Sequence, residues 1–289
     1  MEIGGRRRHG AAYPLDAGWL MGVPYGAFGF VHFIFYRGMS MASAPCTHHD
    51  SAANPADRHR QYKPVVAALL NEQRPRTILD IGAGDGWLRQ RLDYSPEIDA
   101  ADWSGQPLPG YRNVYHADLN TEAPGEPAAY DCVVCCEVIA YLANPGLLLS
   151  GVNRLLRPGG RLVLSTPNCW YAQSRLQFLL KGFFPSFPSL VGRLAWGTHM
   201  HLIPWSFPQL YQFMTLYGFS EVTLHDVPEA RPKHWLEWLI GAPTLLYGRW
   251  RLFSAKTEEE RRYWKHAGSR QSILGRRLVV TAVKQDAAP

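Results

Sequence analysis

The sequence has little cysteine, no internal repeat and no long basic run. Five cysteines in 289 residues are too few for the disulfide framework of a small secreted domain, and no second Cys/His pair at ligand spacing completes a zinc site. Cys132, Cys135 and Cys136 share one apolar run, so we expect them to be buried strand residues in a reducing compartment. The missing repeats and basic runs argue against a repeat protein and against a dedicated RNA-binding module.

A clean membrane-spanning run is also missing. The apolar stretch 19–36 follows three arginines and superficially resembles a signal anchor. It contains Pro24, His32 and three glycines, however, and would span a bilayer poorly. We therefore expect an N-terminal arm or linker over residues 1–56. Two explanations stay open, a loosely ordered or disordered arm and an over-extended reading frame.

Positive charge is concentrated in the last part of the chain. The formal net charge is +6, and residues 231–289 hold twelve Lys and Arg against five Asp and Glu. A basic surface attracts the phosphates of nucleic acids or of membranes. The alternative is a solvated basic face without a partner.

Strand and helix patterns alternate through the middle of the chain. Strands are predicted over residues 77–81, 97–101, 113–117, 131–136, 161–165, 220–224 and 277–284, and helices over 64–70, 87–92, 147–156 and 208–217. This spacing is typical of βαβ units, so we expect an α/β fold with a mainly parallel sheet.

A glycine-rich turn follows the first predicted strand. Asp80 precedes Gly82, Gly84 and Gly86 at every second position. Glycine allows a ligand to approach bare backbone and permits torsions that a Cβ would block. The dinucleotide fingerprint needs a further glycine at position 87, which is Trp87. A carboxylate at the first position suits a ligand with an amino group better than one with a pyrophosphate.

Polar residues also end the next three strands. Asp102 could accept hydrogen bonds from ribose hydroxyls, Asp118 precedes Leu119 and could accept from an adenine amino group, and Cys136 precedes Glu137. Ligands of open α/β sheets bind at the carboxyl ends of the strands. The set therefore predicts a ligand site at this edge.

These segments resemble the class I S-adenosylmethionine-dependent methyltransferases, in the branch that acts on small molecules, lipids and glycans. The resemblance rests on DIGAGDG, AADWS, HADLN, YDCVVCCEVIAYLANP and LLRPGGRLVLSTPN. It implies a Rossmann-like α/β fold, with a seven-stranded mainly parallel sheet, helices on both faces and an antiparallel last strand. That domain would cover residues 57–289.

By the same resemblance, S-adenosyl-L-methionine is the cofactor, and its site draws on the motif residues. The methionine end would contact Asp80, Gly82, Ala83 and Gly84, the ribose and adenine would contact Asp102 and Trp103, and the adenine would contact Asp118 and Leu119. Gly86, Cys136 and Glu137 complete the predicted set.

Candidates for work on the acceptor are fewer. Many relatives have a histidine where this chain has Tyr141, which could orient an acceptor or pack over the cofactor. His199 and His201 could act as base and orienter. No carboxylate lies near them in the sequence, so we expect no metal.

Residues 228–272 form an aromatic and basic insertion without a strand pattern. It is either an interfacial patch that contacts a membrane or a cap over the substrate. We expect a cytoplasmic methyltransferase, with peripheral contact at the inner face of a membrane under the first interpretation. Its acceptor would be a small molecule, a glycan or a lipid-linked intermediate, methylated on oxygen. The rivals are an NAD(P)-dependent oxidoreductase and a non-catalytic cofactor-binding protein.

Overall fold

The computed structural model describes residues 61–185, 201–228 and 235–285. Within these residues the strands are β1 Thr77–Ile81, β2 Glu97–Asp102, β3 Asn113–His116, β4 Tyr130–Cys136, β5 Leu156–Pro167, β6 Phe219–His225 and β7 Arg277–Lys284. The helices are α1 Tyr62–Gln73, α2 Pro145–Leu155, α3 Ala172–Lys181, α4 Phe207–Leu216, α5 Trp235–Phe253, α6 Glu258–Ala267 and α7 Arg270–Leu274. The N-terminal arm predicted over residues 1–56 lies outside this part of the chain.

The strands form one sheet in the order β3-β2-β1-β4-β5-β7-β6. Strands β1 to β5 are parallel to one another, and β7 runs antiparallel between β5 and β6. The predicted seven-stranded, mainly parallel sheet with an antiparallel last strand is confirmed. The strand order reverses between β1 and β4, and open α/β sheets bind ligands at that point.

The central strand β4 is buried on both faces. Val133 and Cys135 belong to a core cluster that includes the side chains of α2, whereas Cys132, Val134 and Cys136 belong to one that includes the side chains of α1. Parallel strands covered by helices on both sides have continuous apolar runs in their sequences. The predicted burial of the three cysteines is confirmed.

Helices α2 and α4 begin at residues whose side chains cap the helix N-terminus. The Asn144 side chain accepts the Leu147 N–H at the start of α2, whose first residue is proline. Ser206 and Gln209 form a reciprocal capping box at the start of α4, which satisfies two backbone donors.

The helix predicted over residues 87–92 is wrong. Turns follow Gly86, and only a three-residue 3-10 helix, Arg89–Arg91, forms before the extended Leu92. Gly86 has φ +71° and Leu92 is extended, so only residues 87–91 lie between them. That interval is too short for a stable helix.

Helix α2 ends at Leu155, one residue before the end of the predicted range 147–156, and β5 begins directly at Leu156. The register with β4 shifts between the pairs Tyr130–Leu156 and Cys132–Arg161. Residues 157–160, with Gly159 at φ +68°, therefore form a bulge inside the strand and not a separate loop.

Between β6 and β7 the described residues form α5, α6 and α7 without a strand, as expected of the insertion. Across the described ranges, no helix is both long and apolar enough to cross a membrane.

Candidate functional site

The turn after β1 brings backbone to the carboxyl edge of the sheet. Gly82, Gly84 and Gly86 have φ of +72°, +56° and +71°, a region that favours glycine. The Gly82 N–H donates to the Ala101 carbonyl at 2.8 Å, which ties the turn to β2. A Cβ at Gly82 would overlap the side chain of Val138, just beyond β4, so no larger residue fits. Ala83 is buried within the turn.

Asp102, at the end of β2, holds this turn and the next one. Its Oδ2 accepts the Gly84 N–H at 3.1 Å, and its Oδ1 accepts the Ser104 N–H at 2.9 Å. An ionised carboxylate has about four acceptor positions, so two remain for hydroxyl donors. Next to it, the Trp103 side chain is 70% exposed, and its ring centroid lies 5.6 Å from that of His116.

Asp118 and Leu119 follow β3. The Oδ1 of Asp118 accepts the Asn120 N–H at 2.9 Å and the Asn120 Nδ2 at 3.1 Å, so this oxygen organises the local turn. Leu119 is buried. The adenine contact expected of these two residues stays a prediction.

Asp80, inside β1, is 1% exposed. The Tyr111 hydroxyl donates to its Oδ2 at 2.7 Å. Burial raises the pKa of Asp80 to about 7. The Tyr111 hydrogen bond and, more weakly, the charge of the buried Lys63 oppose this rise, because both favour the ionised form. Tyr111 is absent from the predicted set, because nothing in the sequence near it indicates the contact.

Glu137, directly after β4, links the end of that strand to β5 and β7. It is a non-glycine residue at φ +60°, an uncommon conformation. The Ser165 Oγ donates to its Oε1 at 3.0 Å, and the Arg277 Nη1 donates to its Oε2. Arg277 also lies over the ring of Tyr62, 5.3 Å from the centroid. The preceding Cys136 is buried, and burial raises its pKa, so the thiol stays neutral.

Tyr141 and His201 meet, although 60 residues separate them. The His201 Nε2 lies 2.9 Å from the Tyr141 hydroxyl. The chain after His201 is fixed there because the N–H groups of Leu202 and Ile203 donate to the Ala140 carbonyl. Burial, and then the charge of Glu137, raises the pKa of Tyr141 to about 12. His199 lies outside the described residues.

A cavity of about 210 Å³ opens beside this pair, at the carboxyl end of β5. Its lining includes His201, Cys169, Tyr171, Trp205, Arg276 and Arg277. Because β5 neighbours β4 and β4 neighbours β1, the cavity lies on the same sheet edge as the glycine turn. In the described part of the chain, no three His, Cys, Asp or Glu side chains are grouped closely enough to hold a metal ion.

The sheet order, the glycine turn and the acid at the end of β2 define a Rossmann-like protein that binds a nucleoside-containing cofactor. A family model described as a methyltransferase domain matches residues 56–224, more than half of the chain. The chain therefore belongs to the class I S-adenosylmethionine-dependent methyltransferases, and S-adenosylmethionine is its cofactor.

Individual relatives are distant and match in part. The chain is 29% identical over 107 residues to a ubiquinone biosynthesis O-methyltransferase of Dechloromonas aromatica (strain RCB), covering 32% of this chain and 45% of that protein. It is 35% identical over 128 residues to a malonyl-[acyl-carrier protein] O-methyltransferase of Halalkalibacterium halodurans, covering 37% and 47%. The chain thus spans about half the length of these curated relatives.

Among solved structures, a SAM dependent methyltransferase from Archaeoglobus fulgidus superposes with a TM-score of 0.46 at 17% identity. The superposition covers 79% of this chain and 97% of that one.

Proposed function

We propose that this protein transfers the methyl group of S-adenosylmethionine to an oxygen of a small molecule, a glycan or a lipid-linked acceptor. The observation that carries the proposal is the Tyr141–His201 pair beside a cavity on the cofactor edge of the sheet. The two curated relatives described above carry the name O-methyltransferase, which agrees with an oxygen acceptor.

The residues at the sheet edge fit the cofactor. The glycine turn leaves space at Gly84, where an added Cβ would meet nothing closer than 4.0 Å. Asp102 would hold the ribose hydroxyls with its remaining acceptor positions, and the exposed ring of Trp103 would lie against the adenine. Asp80 would accept from the methionine ammonium, which brings a direct counter-charge to a buried carboxylate.

When bound, the cofactor supplies the electrophilic methyl group, so the protein must align the acceptor, exclude water and remove a proton. The Tyr141 hydroxyl would accept a hydrogen bond from the acceptor hydroxyl while it donates to His201 Nε2. As the acceptor loses its proton to Tyr141, Tyr141 passes its own proton to His201. Since the pKa of Tyr141 is about 12, this relay avoids a free tyrosinate.

Cofactor binding is tested first. S-adenosylmethionine or S-adenosylhomocysteine should raise the melting temperature, because a ligand that binds the native state stabilises it, and NAD should not. A shift with NAD alone would favour the oxidoreductase alternative. Cofactor binding without turnover of any acceptor would favour the non-catalytic alternative.

The proton relay is tested on an acceptor found by incubating cell extracts with methyl-labelled cofactor and identifying labelled products by mass spectrometry. Loss of a general base typically costs about 10²–10⁴-fold, so His201→Ala should lower kcat by at least about 100-fold. Tyr141→Phe should lower it similarly, and neither should change cofactor affinity. His225→Gln is the matched control. His225 lies on the edge strand β6, and its Nε2 is 2.8 Å from the Thr281 Oγ1 on β7. Unchanged kcat in both variants would remove the relay.

A further inference from the structure

Helix α5 exposes an apolar stripe where helices of water-soluble proteins usually carry polar side chains. At 100° per residue, five of its large side chains fall within an arc of about 60° on one face. They are Trp235, Leu239, Leu246, Trp250 and Phe253, with exposed fractions from 59% for Trp250 to 91% for Phe253. At 1.5 Å per residue the stripe is about 27 Å long.

The opposite face of α5 is already occupied by the fold. Glu237, Gly241 and Gly248 are its buried residues. A Cβ at Gly248 would come within 2.6 Å of the Gly268 Cα, so the two backbones pack without space for a larger side chain. The side of α5 that packs on the protein core is therefore a different side from the one that carries the stripe.

The charge around the stripe is positive. Helices α3 and α5 contain one acidic residue, Glu237, which is buried and lies 3.6 Å from Arg276. Arg249 is exposed and directly precedes Trp250 of the stripe. The next acids along the chain begin α6, beyond Phe253.

Helix α3 adds a second exposed apolar segment. It packs against α5, where the Arg175 Nη1 donates to the Thr244 Oγ1 at 2.7 Å. Its last turn exposes Leu179 and Leu180 next to Lys181.

We propose that the stripe on α5 docks on an anionic lipid surface. Tryptophan and arginine side chains suit the headgroup boundary, and leucine and phenylalanine suit the acyl region just below it. Exposed cations without exposed acids on helices α3 and α5 complement anionic headgroups. The inference does not depend on the proposed methyl transfer.

The test is sedimentation of the full chain with vesicles of phosphatidylcholine alone or of phosphatidylcholine mixed with phosphatidylserine. The protein should sediment with the anionic vesicles at low salt. Binding should weaken at about 1 M salt, where the Debye length is about 3 Å. Leu246→Gln and Phe253→Gln should each lower the partition coefficient by about 10-fold, because each withdraws a large apolar side chain from lipid.

Leu216→Gln is the matched control, since Leu216 is 76% exposed on α4 but lies outside the stripe, and it should bind vesicles like the parent. Because the substituted side chains are exposed, melting temperatures should not change, which separates lost binding from lost folding. Arg249→Gln should weaken binding to anionic vesicles only.

No sedimentation with anionic vesicles at low salt would overturn the proposal. Light scattering provides a second measurement, in which the lipid-free protein should be a monomer. A lipid-free dimer that Leu246→Gln dissociates would assign the stripe to a second copy of the chain, and would overturn the lipid assignment.

Discussion

Two aspartates, Asp80 and Asp99, are equally buried on the neighbouring strands β1 and β2 but have different partners. Each is 1% exposed, and Asp99 pairs in register with the residue before Asp80. Asp99 accepts from Arg112 Nε and Nη2, from Asn113 Nδ2 and from the Tyr130 hydroxyl, at 2.7–3.0 Å. Burial opposes its ionisation, but these hydrogen bonds and the charge of Arg112 outweigh burial and lower its pKa.

Asp80 accepts a hydrogen bond from the neutral Tyr111 hydroxyl, and burial still raises its pKa to about 7. A buried carboxylate stabilises the fold when a guanidinium and several other donors offset its loss of hydration. With fewer donors, its ionised form destabilises the fold until a ligand brings a cation. We therefore propose that Asp99 stabilises the fold and that Asp80 binds the ligand.

The largest expected effect is on Asp99. Asp99→Ala should lower the free energy of unfolding by about 3 kcal/mol, because it leaves the Tyr130 hydroxyl without its acceptor and breaks the ion pair with Arg112. The figure lies at the low end for buried pairs because the Arg112 side chain is 51% exposed. Urea denaturation measures it, with Arg112→Gln as a milder control. A loss under about 1 kcal/mol would put Asp99 among ordinary surface positions.

Asp80→Asn should show the reverse pattern. The amide keeps the shape and can still accept from Tyr111, so stability near neutral pH should be unchanged or higher. Cofactor affinity should fall by about 10- to 100-fold, the value of a hydrogen bond to a charged group. Titration calorimetry with S-adenosylhomocysteine decides between the two patterns. Lost stability with intact affinity would make Asp80 a second structural acid.

The smallest expected effect is a pH dependence that belongs to Asp80 alone. Its folded-state pKa of about 7 lies above the ordinary value of 3.8, so its ionisation destabilises the folded protein progressively as pH rises through that range. An ammonium ligand favours the ionised form, and cofactor affinity should therefore rise by up to about tenfold between about pH 6 and about pH 8. Asp80→Asn should flatten this dependence, and Asp99 should contribute nothing there. An equal slope in Asp80→Asn would assign the proton elsewhere.

The strands are predictable because their signals are local. Strands β1 and β7 coincide with their predicted ranges, and β2, β3, β4 and β6 lie within one residue of theirs. Strand β5 begins five residues before its predicted range 161–165, because the prediction does not include the bulge. The helix predicted over 87–92 rests on three apolar residues, Trp87, Leu88 and Leu92. All three are buried, so the pattern indicates burial correctly but does not determine the backbone.

Site contacts are harder to predict because they join distant parts of the chain. Tyr111 lies 31 residues from Asp80, and Arg277 lies 140 residues from Glu137. The charge of Arg277 at the start of an apolar strand is a usable signal. Tyr141 and His201 are both candidates from the sequence, but their contact depends on the backbone bonds to Ala140, which no sequence pattern shows.

Because the cysteines of β4 are buried, their alkylation can measure local opening of the sheet. Burial raises the pKa of Cys132 and Cys135 to about 12, so alkylating reagents meet neither an accessible sulfur nor a thiolate in the closed sheet. With Cys46 and Cys169 replaced by serine, the alkylation rate would follow how often the sheet opens. A bound cofactor that clamps the turn after β1 to its neighbouring strands should slow that alkylation.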